Sequence, residues 1–264
     1  MPSTSNQPAK IAVSHLTMAY GSHVVMRDLS FEIAERDIFI IMGGSGCGKS
    51  TLLRHLIGLK EPQEGTICYE GENFTAAGPA GRSKYVKRFG VMYQSGALWS
   101  SLTLAENVAL PLEENTRLSP KAVRDLVSYK LALVGLSGYE DYYPADISGG
   151  MNKRAGIARA MALDPDILFL DEPGAGLDPL SSRRLDDLIL RLRDSLGSTV
   201  VIVTHELASI FAIGTNSIFL DTATRTQGAT GPPVELRDHS NNPAVRLFLR
   251  RGAEEPSTPL PQTP

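Results

Sequence analysis

The sequence predicts an α/β fold: a mainly parallel sheet covered by helices on both faces, with an antiparallel β layer near its N-terminus and an inserted helical subdomain. Two observations predict the sheet. The apolar runs "DIFIIM", "DILFL" and "STVVIV" lack polar alternation, as strands buried on both faces do. The first run leads through the glycine-rich "GGSGCGKS" into the helical "KSTLLRHLIGL", the strand–loop–helix unit of a doubly wound domain. A third observation predicts the insertion: residues 95–161 have mostly helical spacing, interrupted by turn signals.

Taken in order, "MPSTSNQPAK" has no apolar core and is expected to be a flexible N-terminus over 1–9 rather than a signal peptide. Residues 10–35 read as antiparallel strands with a turn at "YGSH", and Cys68 falls on a further strand. Within 95–161, breaks are expected at Pro111, "RLSP" and "YYPADISGG". After "DILFLDEP", the segment "PLSSRRLDDLILRLRDSLG" has helical spacing and is closed by Gly197. The main domain is expected over 10–240, a C-terminal arm or helix over 241–252, and a disordered, proline-rich tail over 253–264.

Composition narrows the function. A net charge of −3 leaves no basic footprint, which argues against a nucleic-acid partner. Two cysteines, Cys47 and Cys68, suit a reducing compartment better than a disulfide framework. The apolar runs are far shorter than the roughly 20 residues that span a bilayer, so any membrane role is expected to come through a partner.

The loop Gly43, Gly44, Ser45, Gly46, Cys47, Gly48, Lys49, Ser50 fits G-x-x-x-x-G-K-[ST]. In that pattern backbone N–H groups and a helix N-terminus, here continuing into Thr51, surround phosphates. Lys49 is expected to reach the β and γ phosphates and the Ser50 hydroxyl to bind Mg²⁺. Such a loop needs a carboxylate at a neighbouring strand end, and "ILFLDEP" supplies Asp171 for the metal and Glu172 for the attacking water. A second glycine pair, in "ISGGM", opens another helix and offers a second anion site at Ser148, Gly149 and Gly150. One nucleotide cannot easily use both loops of one chain. A head-to-tail pair of chains would let each "ISGGM" close over phosphates held by the other.

With these motifs in this order, the chain resembles the ATP-binding cassette (ABC) ATPases over about Ile11 to Leu236. The resemblance implies ATP as nucleotide, an ATP-sandwich dimer of two copies, and a transport partner in the membrane. It implies that Tyr20 stacks on adenine and that Gln94 contacts Mg²⁺ with Ser50 and Asp171. Asp178 in "GLDP" would be the D-loop acid, and His205 the switch histidine beside the γ-phosphate, acting with Glu172 and Lys49. At the signature, Met151 stands where the family has glutamine and Ile147 where it has leucine. A narrower resemblance, carried by "YQSGALWSSLTLAENVALPL", by Met151 and by "PAVRLFLRRG", is to ATPases of lipid transporters that work with MCE-domain proteins. It implies phospholipid as cargo, an integral permease, a periplasmic MCE protein and a small regulatory subunit. The chain would then sit on the cytoplasmic face of the inner membrane, with its C-terminal arm touching the second copy. Importers of amino acids or other small solutes share most of this frame and remain the alternative. The apolar residues Leu98, Trp99 and Leu102 are expected to form a groove for the permease.

Overall fold

The computed structural model describes residues 9–250. The tail 253–264, and all but the last residue of the N-terminal stretch 1–9, lie outside the described residues.

Strands β1 (Ile11–Tyr20) and β2 (His23–Ile33) form a hairpin, turned at Gly21 with φ +59°. The fully buried β3 (Ile38–Gly43) runs through the glycine loop into α1 (Lys49–Leu56). β4 (Glu64–Tyr69) and β5 (Glu72–Asn73) then return to the hairpin, giving a four-stranded antiparallel sheet in the order β2-β1-β4-β5. The β layer is therefore wider than residues 10–35. Cys68 lies on β4, opposite Ala12 of β1.

After α2 (Pro79–Val86) and β6 (Phe89–Met92), the chain forms three helices, α3 (Leu104–Asn115), α4 (Pro120–Leu133) and α5 (Gly149–Ala160). It re-enters the sheet at β7 (Ile167–Asp171) and continues through α6 (Pro179–Leu196), β8 (Thr199–Val203) and α7 (Leu207–Ile213). β9 (Asn216–Asp221), β10 (Thr226–Thr230), α8 (Pro233–His239) and α9 (Pro243–Arg250) complete the described chain. The second sheet has the order β10-β9-β3-β8-β7-β6 and is parallel except for β10. Because β3, β8 and β7 are neighbours, their carboxyl ends deliver three loops to one edge of the sheet, where α/β folds place ligands.

β3 shows why unalternating apolar runs mark this sheet. Phe39 and Ile41 join a core with α1 and the antiparallel layer, while Ile38, Ile40 and Met42 join a second core with α3 to α6 and α9. Both faces of the strand are buried, so both parities must be apolar.

Pro111 corrects one expectation. It sits inside α3 rather than at a break. An internal proline costs a helix roughly 3 kcal/mol, but Leu104, Val108 and Leu112 of α3 are buried at 0–1% exposure, and a Thr103–Glu106 capping box fixes its start. Tertiary burial of that apolar stripe outweighs the local penalty.

Candidate functional site

The glycine loop is shaped by close approaches. Gly43 has φ +150°, and a Cβ there would lie 2.6 Å from the Leu220 carbonyl oxygen and 2.7 Å from Cys47 Sγ. Gly48, at φ +98°, caps α1, and a Cβ there would lie 2.7 Å from Val25. Both positions exclude a side chain, which explains two of the loop's glycines sterically. Lys49 is 9% exposed and folds back along the loop, its Nζ donating to the Gly43 and Gly44 carbonyls at 3.1 and 3.0 Å. Burial pushes the Cys47 thiol pKa up, so this cysteine is not an activated nucleophile.

The adjacent strand end completes the pocket. Ser50 Oγ donates to Asp171 Oδ1 at 3.2 Å, and burial pushes the Asp171 carboxyl above its usual value against the opposing pull of that hydrogen bond. Glu172 has φ +50°, a left-handed conformation costly for a glutamate, held by its amide donating to the Val203 carbonyl at 2.8 Å. Its Oε1 pairs with His205 Nδ1 at 2.8 Å, while its Oε2 is buried without a hydrogen-bond partner. Gly43 to Gly46, Gly48 to Thr51, Gln94, Glu172, Ala175, His205, Leu207 and Phe248 line one open cavity of about 720 Å³.

Among the described residues no group of three or more His, Cys, Asp or Glu gathers as a metal cluster. Ser50 and Asp171 instead offer two hard oxygen donors beside Lys49, and the unpartnered Glu172 oxygen has capacity for a further polar ligand. This donor set fits a Mg²⁺ ion that takes its remaining coordination from phosphate and water.

The second glycine pair lies elsewhere. Ser148 Oγ caps α5 by accepting from the Met151 amide at 3.2 Å, and Ser148, Gly149 and Gly150 line a separate cavity of about 660 Å³ with Leu177, Asp178 and Arg184. Asp178 caps α6, accepting from the Leu180 and Ser181 amides at 3.0 Å, and its bonds to Ser181 hold its carboxyl below the usual range. Met151 and Ile147, the two departures at the signature, are partly buried and pack against the apolar core.

Tyr20 is not part of the lining of the glycine-loop (P-loop) cavity. It stands 47% exposed at the end of β1, with Lys60 Nζ 3.4 Å from its ring centroid and Arg54 reaching its hydroxyl at 3.5 Å. Its ring offers a stacking surface, although one face is already met by the Lys60 ammonium. Trp99 is 60% exposed, and Leu98 packs partly against the core.

Two residues near the site escaped the sequence reading. Lys153, 7% exposed, donates to the Ala175 carbonyl, with burial lowering its pKa. Glu206 Oε2 accepts from Ser182 Oγ at 3.3 Å and fits beside Gly174, where a Cβ would lie 2.3 Å away. The signal for Glu206 was its adjacency to His205, and for Gly174 its place in "DEPGAG"; nothing in the local sequence marks Lys153 as buried.

A family model described as "ABC transporter" matches residues 26–175. The chain is 37% identical over 236 residues to the Escherichia coli K12 intermembrane phospholipid transport system ATP-binding protein MlaF, covering 89% of this chain and 87% of that one. It is 38% identical over 203 residues to the Haemophilus influenzae MlaF, covering 77% of each. It is 39% identical over 239 residues to a Mycobacterium tuberculosis H37Rv protein named "probable ribonucleotide transport ATP-binding protein mkl". That match takes in 90% of this chain but only 66% of the mycobacterial one. Among solved structures, the ATP-binding cassette MJ0796, a dimer in a post-hydrolysis state bound to ADP and Pi, superposes with a TM-score of 0.76 at 28% identity, covering 83% of this chain and 97% of that one.

Proposed function

The chain belongs to the ABC transporter family, and from that membership we propose that it is the ATP-hydrolysing subunit of a transporter moving phospholipid or a related lipid. The observation that carries hydrolysis is the Glu172 carboxylate, tied at one oxygen to His205 and buried without a partner at the other, at the edge of the glycine-loop cavity. A carboxylate so held can take a proton from a water directed at the γ-phosphate. Lys49 leaves the loop carbonyls for the β and γ phosphates. Ser50, Asp171 and Gln94 would hold a Mg²⁺ ion, which would supply neutralisation of charge on the phosphates. His205 fixes Glu172 through Nδ1, leaving Nε2 for the γ-phosphate, and Tyr20 offers its free face to adenine.

The signature cannot serve the same nucleotide, because Ser148, Gly149, Gly150 and Asp178 line a different cavity from the P-loop. A second copy, packed head to tail, brings its signature to this chain's phosphates and receives this chain's signature in return. The dimeric neighbour structure supports the pairing of two copies. Among the described residues no helix is long and apolar enough to cross a membrane. In this reading the lipid passes through an integral permease, against which the chain docks at the cytoplasmic face of the inner membrane, with an MCE-domain protein beyond it and a small regulatory subunit beside it. The phospholipid names of relatives matched over most of their length favour lipid over small solutes.

The test is transport by the chain purified with its membrane partners and reconstituted in phospholipid vesicles. ATP should drive movement of labelled phospholipid. Uptake of a labelled ribonucleotide or amino acid, with phospholipid static, would overturn the lipid assignment while leaving the ATPase intact.

A further inference from the structure

Gln94 opens a 3-10 turn, Gln94–Gly96, just past the end of β6, and this turn is pinned to α5, the helix capped by Ser148. Gly156 of α5 meets Gly96 so closely that a Cβ on Gly156 would lie 2.8 Å from Gly96 Cα. A Cβ on Gly96, at φ +78°, would lie 2.9 Å from the Asn152 carbonyl oxygen, also on α5. Real side-chain carbons do not approach this closely, so both positions must be glycine for the two segments to touch. One turn further along α5, Arg159 donates to the Gly96 carbonyl at 3.2 Å and to the Ala97 carbonyl at 2.8 Å. Ala97 is itself left-handed, at φ +48°, a strained conformation that persists only where the surroundings impose it.

We propose that the Gly96–Gly156 contact and Arg159 are the positioning device for Gln94, so that the helix presenting Ser148 at one end sets the place of Gln94 near the other. The inference rests on Gln94 contacting the nucleotide's metal. Its consequence is that two ATP sites of a dimer are joined within each chain: α5 meets one nucleotide through Ser148 and holds Gln94 against the other. Packed main chain with no intervening side chains is a stiff connection, and stiffness is what such a link requires. Arg159 acts through the loop and does not touch nucleotide.

A double-mutant cycle tests it. Gly156→Ala favours the helix by propensity but drives a methyl into Gly96, and Arg159→Met removes both hydrogen bonds while keeping an apolar stem. Each is made alone and combined with Gln94→Ala, and MgATP affinity and kcat are measured for all in the permease complex. If the clamp acts through Gln94, each clamp variant lowers kcat by roughly tenfold with a smaller change in KM, and adding it to Gln94→Ala lowers kcat no further. MgATP affinity should show the same non-additivity, while ATP affinity in EDTA stays at the wild-type value. Arg159→Lys, which can restore one bond, should recover part of the loss. Additive losses with Gln94→Ala impaired would overturn the positioning role alone. Wild-type behaviour of Gln94→Ala would overturn the Gln94 assignment and the inference with it.

Discussion

Asp186 on α6 is 8% exposed, accepts a hydrogen bond from Ser209 at 2.9 Å, and has its pKa pushed up to about 6 by burial, with Glu206 and Asp187 adding repulsion. A carboxyl whose folded pKa lies above its unfolded value stabilises the fold while protonated and loses that contribution as pH rises through the folded value. Between about pH 4 and 6, Asp186 should therefore come to cost stability. Asp186→Asn, which keeps an oxygen acceptor for Ser209, should be more stable than wild type at pH 7 by up to roughly 2 kcal/mol and equal to it near pH 4. Urea unfolding at both pH values checks this, and a difference independent of pH would refute it. Nothing in "RRLDDLIL" distinguishes buried Asp186 from exposed Asp187, since the distinction lies in where α7 packs. The P-loop residues were legible for the opposite reason: their chemistry is local, and glycines next to a lysine and a serine announce themselves in one short stretch. Tyr20 was legible only as a resemblance, and the structure sets it outside the cavity that gathers Lys49, Gln94, Glu172 and His205.

Among the elements, the segment between β6 and α3 is held closely by a buried side chain of α3 itself. Asn107 of α3 has no exposed surface. Its side chain accepts from the Trp99 amide at 2.8 Å and donates to the carbonyls of Trp99, Leu102 and Thr103 at 2.9–3.1 Å. Asn107→Ala leaves the Trp99 amide and the Leu102 carbonyl without these partners, while the Trp99 and Thr103 carbonyls keep the Leu102 and Asn107 amides as donors, and should cost about 2–4 kcal/mol. Trp99 is the sole tryptophan, so the loss should also appear as increased mobility of its fluorescence before global unfolding. Unchanged anisotropy with unchanged stability would show that Asn107 is not the clamp. The parallel strands were readable from unalternating apolar runs because burial on both faces writes itself into composition. β4 and β5 joining the hairpin, and α3 continuing through Pro111, were not, since both depend on partners distant in sequence. The Gly96–Gly156 approach is a further case: two ordinary glycines, far apart in the sequence, acquire meaning only when helix and loop meet.

At the level of the whole molecule, the two glycine loops lie in separate cavities, so in the proposed head-to-tail dimer a single chain would hold only half of each composite site. Hydrolysis and dimerisation are then linked: anything that keeps ATP intact should keep the sandwich closed. Glu172→Gln preserves size and an acceptor oxygen but cannot take a proton, so turnover should fall by at least about 100-fold while ATP still binds. Lys49→Ala instead removes the charged contact to the phosphates and should lose at least about tenfold in affinity, and dimerisation with it. The decisive measurement is the mass of both variants by size-exclusion chromatography with light scattering, in ATP and in ADP. Glu172→Gln is predicted to be a dimer in ATP and a monomer in ADP, with Lys49→Ala monomeric in both. A Glu172→Gln protein that hydrolyses ATP at near the wild-type rate, or that binds ATP without turnover and stays monomeric, would contradict the shared site.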